Sequence, residues 1–159
     1  MEEENDALPT TEIEIDDFLA AFESGTLPKE RWTHAAHLLA GACYVLRLGQ
    51  SSAIDHMRTC VRRYNEAVGG KNTATSGYHE TITVFWIKVL DALLLHAQPI
   101  ARAEFAALAV ERFTAQRDLF RRFYDFDVNA STEARAVWIP PTREEIEDSE
   151  VTRLDIATQ

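Results

Sequence analysis

His34 and His37 stand three residues apart, so on a helix their rings share one face. The stretch 34–48 carries a single charge, Arg47. Imidazoles buried in so apolar a segment each need a polar partner. The positive end of the helix dipole also disfavours imidazolium there, which keeps both rings neutral. Neutral imidazole is the form that ligates a metal or accepts a proton. A third histidine, His79, stands near the start of another apolar helix, on the line of Thr83, Trp86 and Leu90. Three neutral nitrogens with one open position suit a divalent first-row metal such as zinc, iron, nickel or manganese. Such a metal lowers the pKa of its bound water. We therefore expect His34, His37 and His79 as metal ligands, with Tyr64, Tyr78 and Glu80 beside them as acid–base groups. Trp32, Asn65 and Trp86 are expected to contact a substrate. The alternative is metal-free: histidines and a tyrosine doing acid–base work on an anionic small molecule held by two helix N-termini.

The elements follow from apolar spacing and stop signals. Asp16 caps a short helix over 17–24, ended by Gly25. Thr33 caps a helix over 34–48, apolar on nearly every face and therefore central, with Gly49 beyond it. A serine at 51 or 52 caps the next, about 53–68, whose face is Ile54, Met57, Val61, Tyr64 and Val68. The loop 69–77 is rich in turn residues. A long helix covers 78–97, closed by Gln98-Pro99, and another covers about 101–114, with a possible continuation through 123. Alternation survives only over Thr10–Ile15, within the N-terminal tail region. Thr142 to Glu145 offers a start for a short terminal helix. The expected fold is all-α, a single-domain bundle of about five helices with an up-down-up core. Its limits are an acidic tail at 1–11, the bundle at 12–140 and an acidic tail at 141–159.

Helix order alone gathers the polar residues. The helix from 34 begins at one end of the bundle, the helix to 68 finishes there, and the helix from 78 begins there again. His34, His37, Tyr64, Asn65, Tyr78, His79 and Glu80 thus meet at one pole, under the loop 69–77. Glu80 lies on the polar stripe of its helix with Val84, Lys88 and Asp91, so a first-turn dipole role competes with a site role. His56 and His96 fall toward the far end and read as structural.

Composition narrows the partners. The chain has 159 residues, 16 Lys and Arg, and 26 Asp and Glu, for a formal net charge of −10. The first 24 residues hold nine acids and no base, and 143–159 hold six acids and two arginines. The body between them is slightly basic. An acidic chain is a poor default partner for nucleic acid. Arg117, Arg121 and Arg122, among Phe120, Phe123 and Tyr124, read as a solvated face rather than an RNA surface. No apolar run is long enough to span a membrane. Cys43 and Cys60 lie on expected helices without an export signal, so the expected state is reduced and the expected location cytoplasmic. The oligomeric state is open. Glycine-rich phosphate loops and the Gly-x-Ser-x-Gly elbow are absent.

Trp32-Thr33-His34-Ala35-Ala36-His37, then Arg63-Tyr64-Asn65-Glu66, then Gly77-Tyr78-His79-Glu80-Thr81-Ile82-Thr83 resemble a family of small, largely uncharacterised bacterial helical proteins. The resemblance spans about residues 17–125 and implies a helical fold, but no activity. A weaker analogy is to DinB-like metal-binding bundles, which set three histidines at one end. Here the paired histidines come early and at spacing three. The sequence thus points to a small-molecule enzyme of lyase, hydrolase or transferase type, or else to a non-catalytic ligand-binding module whose histidines are structural.

Overall fold

The computed structural model describes residues 7–99, 101–147 and 149. Among them are six α-helices and two 3-10 turns, with no strand. The α-helices are α1 (Glu12–Ser24), α2 (His34–Leu48), α3 (Gln50–Ala67), α4 (Glu80–Ala97), α5 (Arg102–Phe113) and α6 (Thr132–Ala136). The 3-10 turns are Lys29–Arg31 and Leu119–Phe123. No single helix among the described residues is long and apolar enough to cross a membrane.

α2 is the axis of the bundle. It packs against α3, α4 and α5, and its residues from Leu38 to Val45 are all buried. α3 also packs on α4, and α1 lies across α3 and α5. The up-down-up core therefore forms from three consecutive helices in the expected order. Cys43 and Cys60 are both free and buried in the core.

Several boundaries differ from the sequence reading. α1 starts five residues before the expected position, at Glu12 rather than Asp17. The Thr11 side chain accepts from the Glu14 amide while the Glu14 carboxylate accepts from the Thr11 amide. This capping box satisfies two orphan donors and turns the Thr10–Ile15 alternation into helix. α3 starts at Gln50 directly after Gly49, without a serine cap. α4 starts at Glu80, with His79 as its cap. α5 stops at Phe113, and the chain continues into the separate 3-10 turn. The stretch 142–145 is not helical, and the amides of Thr142 and Arg143 both donate to the Phe123 carbonyl. Ile146 is buried against the core. Most of both acidic tails lies outside the described residues.

The loop between α3 and α4 is held by one side chain. Asn72 accepts through Oδ1 from the Asn65 amide group (3.0 Å) and the Tyr78 N–H (2.9 Å), and donates to the Arg62 carbonyl (2.9 Å). Gly77 makes this strap possible. Its φ is +79°, and a Cβ there would collide with the Lys71 carbonyl oxygen and stand 2.7 Å from Asn72 Oδ1. Gly69 also has positive φ (+93°) but has nothing within 4 Å. Gly69→Ala should therefore carry the backbone penalty alone, whereas Gly77→Ala adds a clash with main chain. Urea unfolding should show Gly77→Ala less stable than Gly69→Ala by about 1–3 kcal/mol. Equal losses would contradict the strap.

Candidate functional site

α2 begins where α3 ends and α4 begins, and the three termini open on one cleft of about 1080 Å3. Its lining includes His34, His37, Asn65, Tyr78 and His79 of the residues expected at this pole, but not Tyr64 or Glu80, and Trp32 and Trp86 line it as well. The α3–α4 loop contributes Gly70, Lys71, Ser76 and Gly77. Thr33 and His79, the N-caps of α2 and α4, both stand in the wall.

Each histidine has one nitrogen claimed by a main-chain carbonyl. His34 Nε2 lies 3.2 Å from the Phe113 oxygen, at the end of α5. His37 Nδ1 lies 2.8 Å from the Thr33 oxygen, and His79 Nε2 lies 2.9 Å from the Val128 oxygen. A carbonyl can only accept, so each of these nitrogens carries the proton. His79 is spent on both sides, because its Nδ1 also accepts the Ile82 amide and caps α4. Neutral His34 and His37 keep one lone pair each, at Nδ1 and Nε2, and neither nitrogen has a protein donor among the described residues.

This arrangement does not make a three-histidine metal set. His79 could ligate only by giving up its cap or its bond to Val128. Among the described residues no three His, Cys, Asp or Glu side chains come together as a metal-holding group. The expectation of a divalent metal on His34, His37 and His79 therefore does not fit the donors present. The rings converge on one cleft, but each is oriented by a different carbonyl.

Burial keeps all three imidazoles neutral at neutral pH. It lowers His37 to about 4, against the opposing pull of the Thr33 carbonyl. It lowers His34 and His79 in the same direction. The Arg117 guanidinium pushes both His34 and His37 further down.

The expected acid–base partners are engaged in other bonds. Tyr64 is only 1% exposed, and its hydroxyl donates to the Leu27 carbonyl at 2.8 Å, away from the cleft lining. Glu80 is 8% exposed and is held by Arg58 through two bonds, of 2.9 and 2.6 Å. Tyr78 lines the cleft, but its hydroxyl donates to Glu80 at 2.7 Å. Burial works to raise the Glu80 carboxyl, but the Arg58 and Tyr78 bonds outweigh it and hold the group ionised. Burial and the Glu80 bond push the Tyr78 hydroxyl up, so it stays protonated. Arg58, Glu80 and Tyr78 thus form a structural pair-and-bond unit behind the wall, on the polar stripe that the helix pattern indicated.

Among the expected substrate contacts, Asn65 is tied to Asn72. Trp32 is sandwiched: Phe22 stacks at 4.1 Å and the His37 ring lies 4.0 Å away. Two rings cannot share one face at that distance, so both faces of Trp32 are covered. Its indole N–H is buried without an acceptor among the described residues. Such an orphan costs about 1–3 kcal/mol and calls for an explanation in a native fold. Trp86 meets His34, Phe85 and Phe113 in edge contacts.

The sequence reading missed the cleft's charge. Lys29, Lys71, Arg117 and Arg121 line it, against one carboxylate, Asp118. Arg117 and Arg121 come from the segment after α5. Phe120, Phe123 and Tyr124 of that segment are buried, which turns the arginines toward the opening. The stripe of arginines among aromatics was the available signal, but it read as a solvated face. Arg117 makes no ion pair among the described residues, while Arg121 reaches Asp127 at 3.3 Å.

The neutral rings have a thermodynamic consequence. The folded His37 ring refuses a proton that the unfolded chain accepts at the ordinary value near 6.5. Stability is therefore full above that value and falls as pH drops toward 4. Between pH 6.5 and 5 carboxylates stay ionised, so the slope belongs to histidines. By pH 5 the His37 share should be on the order of 1–2 kcal/mol. Urea melts of the wild type should show this loss, and His37→Gln should flatten it. A wild-type stability that is level from pH 7 to 5 would contradict the neutral assignment.

The sequence matches no protein-family model, no curated protein and no solved structure, so the functional reading rests on the chemistry of the cleft's own side chains.

Proposed function

We propose that this cleft binds an anionic small molecule and that His34 and His37 exchange protons with it, without a metal. The observation that carries the reading is the coincidence in one cleft of four basic side chains with two neutral, carbonyl-anchored imidazoles. The caps of α2 and α4 stand in the same wall, so two positive helix ends add to the field there. Local charge is thus opposite in sign to the whole chain, which carries −10.

The chemistry follows from Coulomb's law in a partly buried site. Without an anion, Arg117 and burial both oppose protonation of His34 and His37. A bound anion offsets Arg117 and favours the imidazolium form. Each ring then accepts a proton at its free nitrogen, His34 at Nδ1 and His37 at Nε2, while the carbonyl bond fixes the ring plane. An imidazole that becomes a better base only when its ligand arrives is a general base gated by substrate. Lyase, hydrolase or transferase chemistry on an acidic metabolite falls within this scope.

One observation favours a second reading. All three rings bond to main-chain carbonyls, which is also how histidines serve as structural ties. In that case the cleft is a ligand-binding module with no proton transfer.

Sulfate separates the two, because it does not titrate between pH 5.5 and 8. The fluorescence of Trp32 and Trp86, both in the wall, reports its binding. We expect Arg117→Ala to weaken sulfate several-fold. We expect wild-type affinity to rise as pH falls from 8 to 5.5, and His34→Asn with His37→Gln to remove most of that rise. Arg117-dependent binding with no pH link would favour the binding module. Binding indifferent to both Arg117 and pH would overturn the proposal.

A further inference from the structure

Resting on the anion-binding reading, we infer that the ligand of this cleft is an amphipathic anion, an acidic head group carried on an aliphatic body. The lining is sorted by depth. Met57, Val61, Ile87 and Leu90 are buried, and Ile82 is half-buried beside them. Lys29, Lys71, Arg117 and Arg121 are all exposed. Branched and thioether carbons thus lie inside, and cations stand at the mouth. A simple inorganic anion would use the mouth and leave the apolar floor wet. A neutral hydrocarbon would use the floor and leave Arg117, which has no ion pair among the described residues, without a task.

The floor is also well supported. Behind it α2 approaches α4 at Gly41, where an added Cβ would stand 2.8 Å from Leu90 Cδ1 and 3.4 Å from Ile87 Cδ1. The absence of a side chain at Gly41 lets these two residues pack directly on α2. At about 1080 Å3 the space reaches the upper end of the range for pockets that enclose drug-sized ligands.

The aromatic rings of the lining are already in contact with other groups, which favours an aliphatic body. Trp32 is covered on both sides by Phe22 and His37. The Arg62 guanidinium lies over the Tyr78 ring at 5.3 Å, and the Tyr78 hydroxyl is held by Glu80. Trp86 already meets three rings at their edges. A planar base or aryl ring needs an open aromatic face on which to stack. The carbon surface that borders the cleft is instead aliphatic: half-buried Ile82, with the small accessible edges of Met57, Val61, Ile87 and Leu90, each 6% exposed or less.

The test is a homologous series at pH 7, with acetate, butyrate, hexanoate and octanoate as probes and 1-octanol and phenylacetate as controls. Tryptophan fluorescence and calorimetry give affinity and stoichiometry. Each methylene placed on the floor should tighten binding about fourfold. Octanoate should bind once per chain and more tightly than octanol or phenylacetate. Arg117→Ala should weaken every acid, whereas Ile82→Thr should weaken octanoate and leave acetate unchanged. Circular dichroism checks that both variants fold. Arg117-dependent affinity that ignores chain length would overturn this inference and leave the anion reading standing. Phenylacetate binding better than hexanoate would overturn the aliphatic body alone. Octanol equal to octanoate, or several octanoates bound per chain irrespective of Arg117, would overturn both.

Discussion

A neutral imidazole has one proton to give and one lone pair to accept with, and the pole of this bundle is built on how three rings divide those two capacities. His34, His37 and His79 each give their proton to a main-chain carbonyl. Two of those bonds join distant parts of the chain. His34 ties the start of α2 to the end of α5, and His79 ties the start of α4 to Val128. The third turns the His37 ring back onto its own helix start. Each bond also fixes a tautomer, and so decides which nitrogen remains for chemistry. His79 has none left, because it caps α4 as well. His34 and His37 keep one each.

The charge arrangement follows the same separation of tasks. The carboxylate best placed by sequence to act as an acid or base, Glu80, is instead neutralised in a bidentate bond with Arg58 and closed over by the Tyr78 hydroxyl. Removing that carboxylate from the cleft leaves Asp118 facing four cations. An acidic chain thereby acquires a basic cleft, with neutral bases in its wall and an aliphatic floor. Burial and Arg117 hold the rings neutral; under the proposed function a bound anion would couple charge at the mouth to protonation in the wall.

Much of this was legible from the helices alone. Three apolar segments separated by short connections must alternate in direction, so the start of α2, the end of α3 and the start of α4 had to meet. That ordering gathers five residues of the lining, His34, His37, Asn65, Tyr78 and His79, while Tyr64 and Glu80, gathered with them, fall outside it. What the sequence could not disclose depends on partners far along the chain. Arg58 lies 22 positions before Glu80, and nothing local announces the pair. The Phe113 and Val128 carbonyls that claim His34 and His79 are likewise invisible to periodicity, which is why three donors at one pole resembled a metal set. Arg117 and Arg121 are exposed, as a solvated face requires, but the irregular segment after α5 also brings them to the border of the cleft, which periodicity does not announce. The start of α1 differs for a local reason: Asp16 is a competent cap by residue type, but the Thr11–Glu14 capping box starts the helix earlier.

The central claim is that carbonyl bonds hold the cleft histidines neutral in defined tautomers. Long-range proton–nitrogen NMR of the imidazoles, assigned by His34→Asn, His37→Gln and His79→Asn, reads that directly. At pH 7 the account predicts three neutral rings, with the proton on Nε2 of His34, on Nδ1 of His37 and on Nε2 of His79. An imidazolium at His34 or His37 at that pH, or the proton on the opposite nitrogen of either, would contradict it.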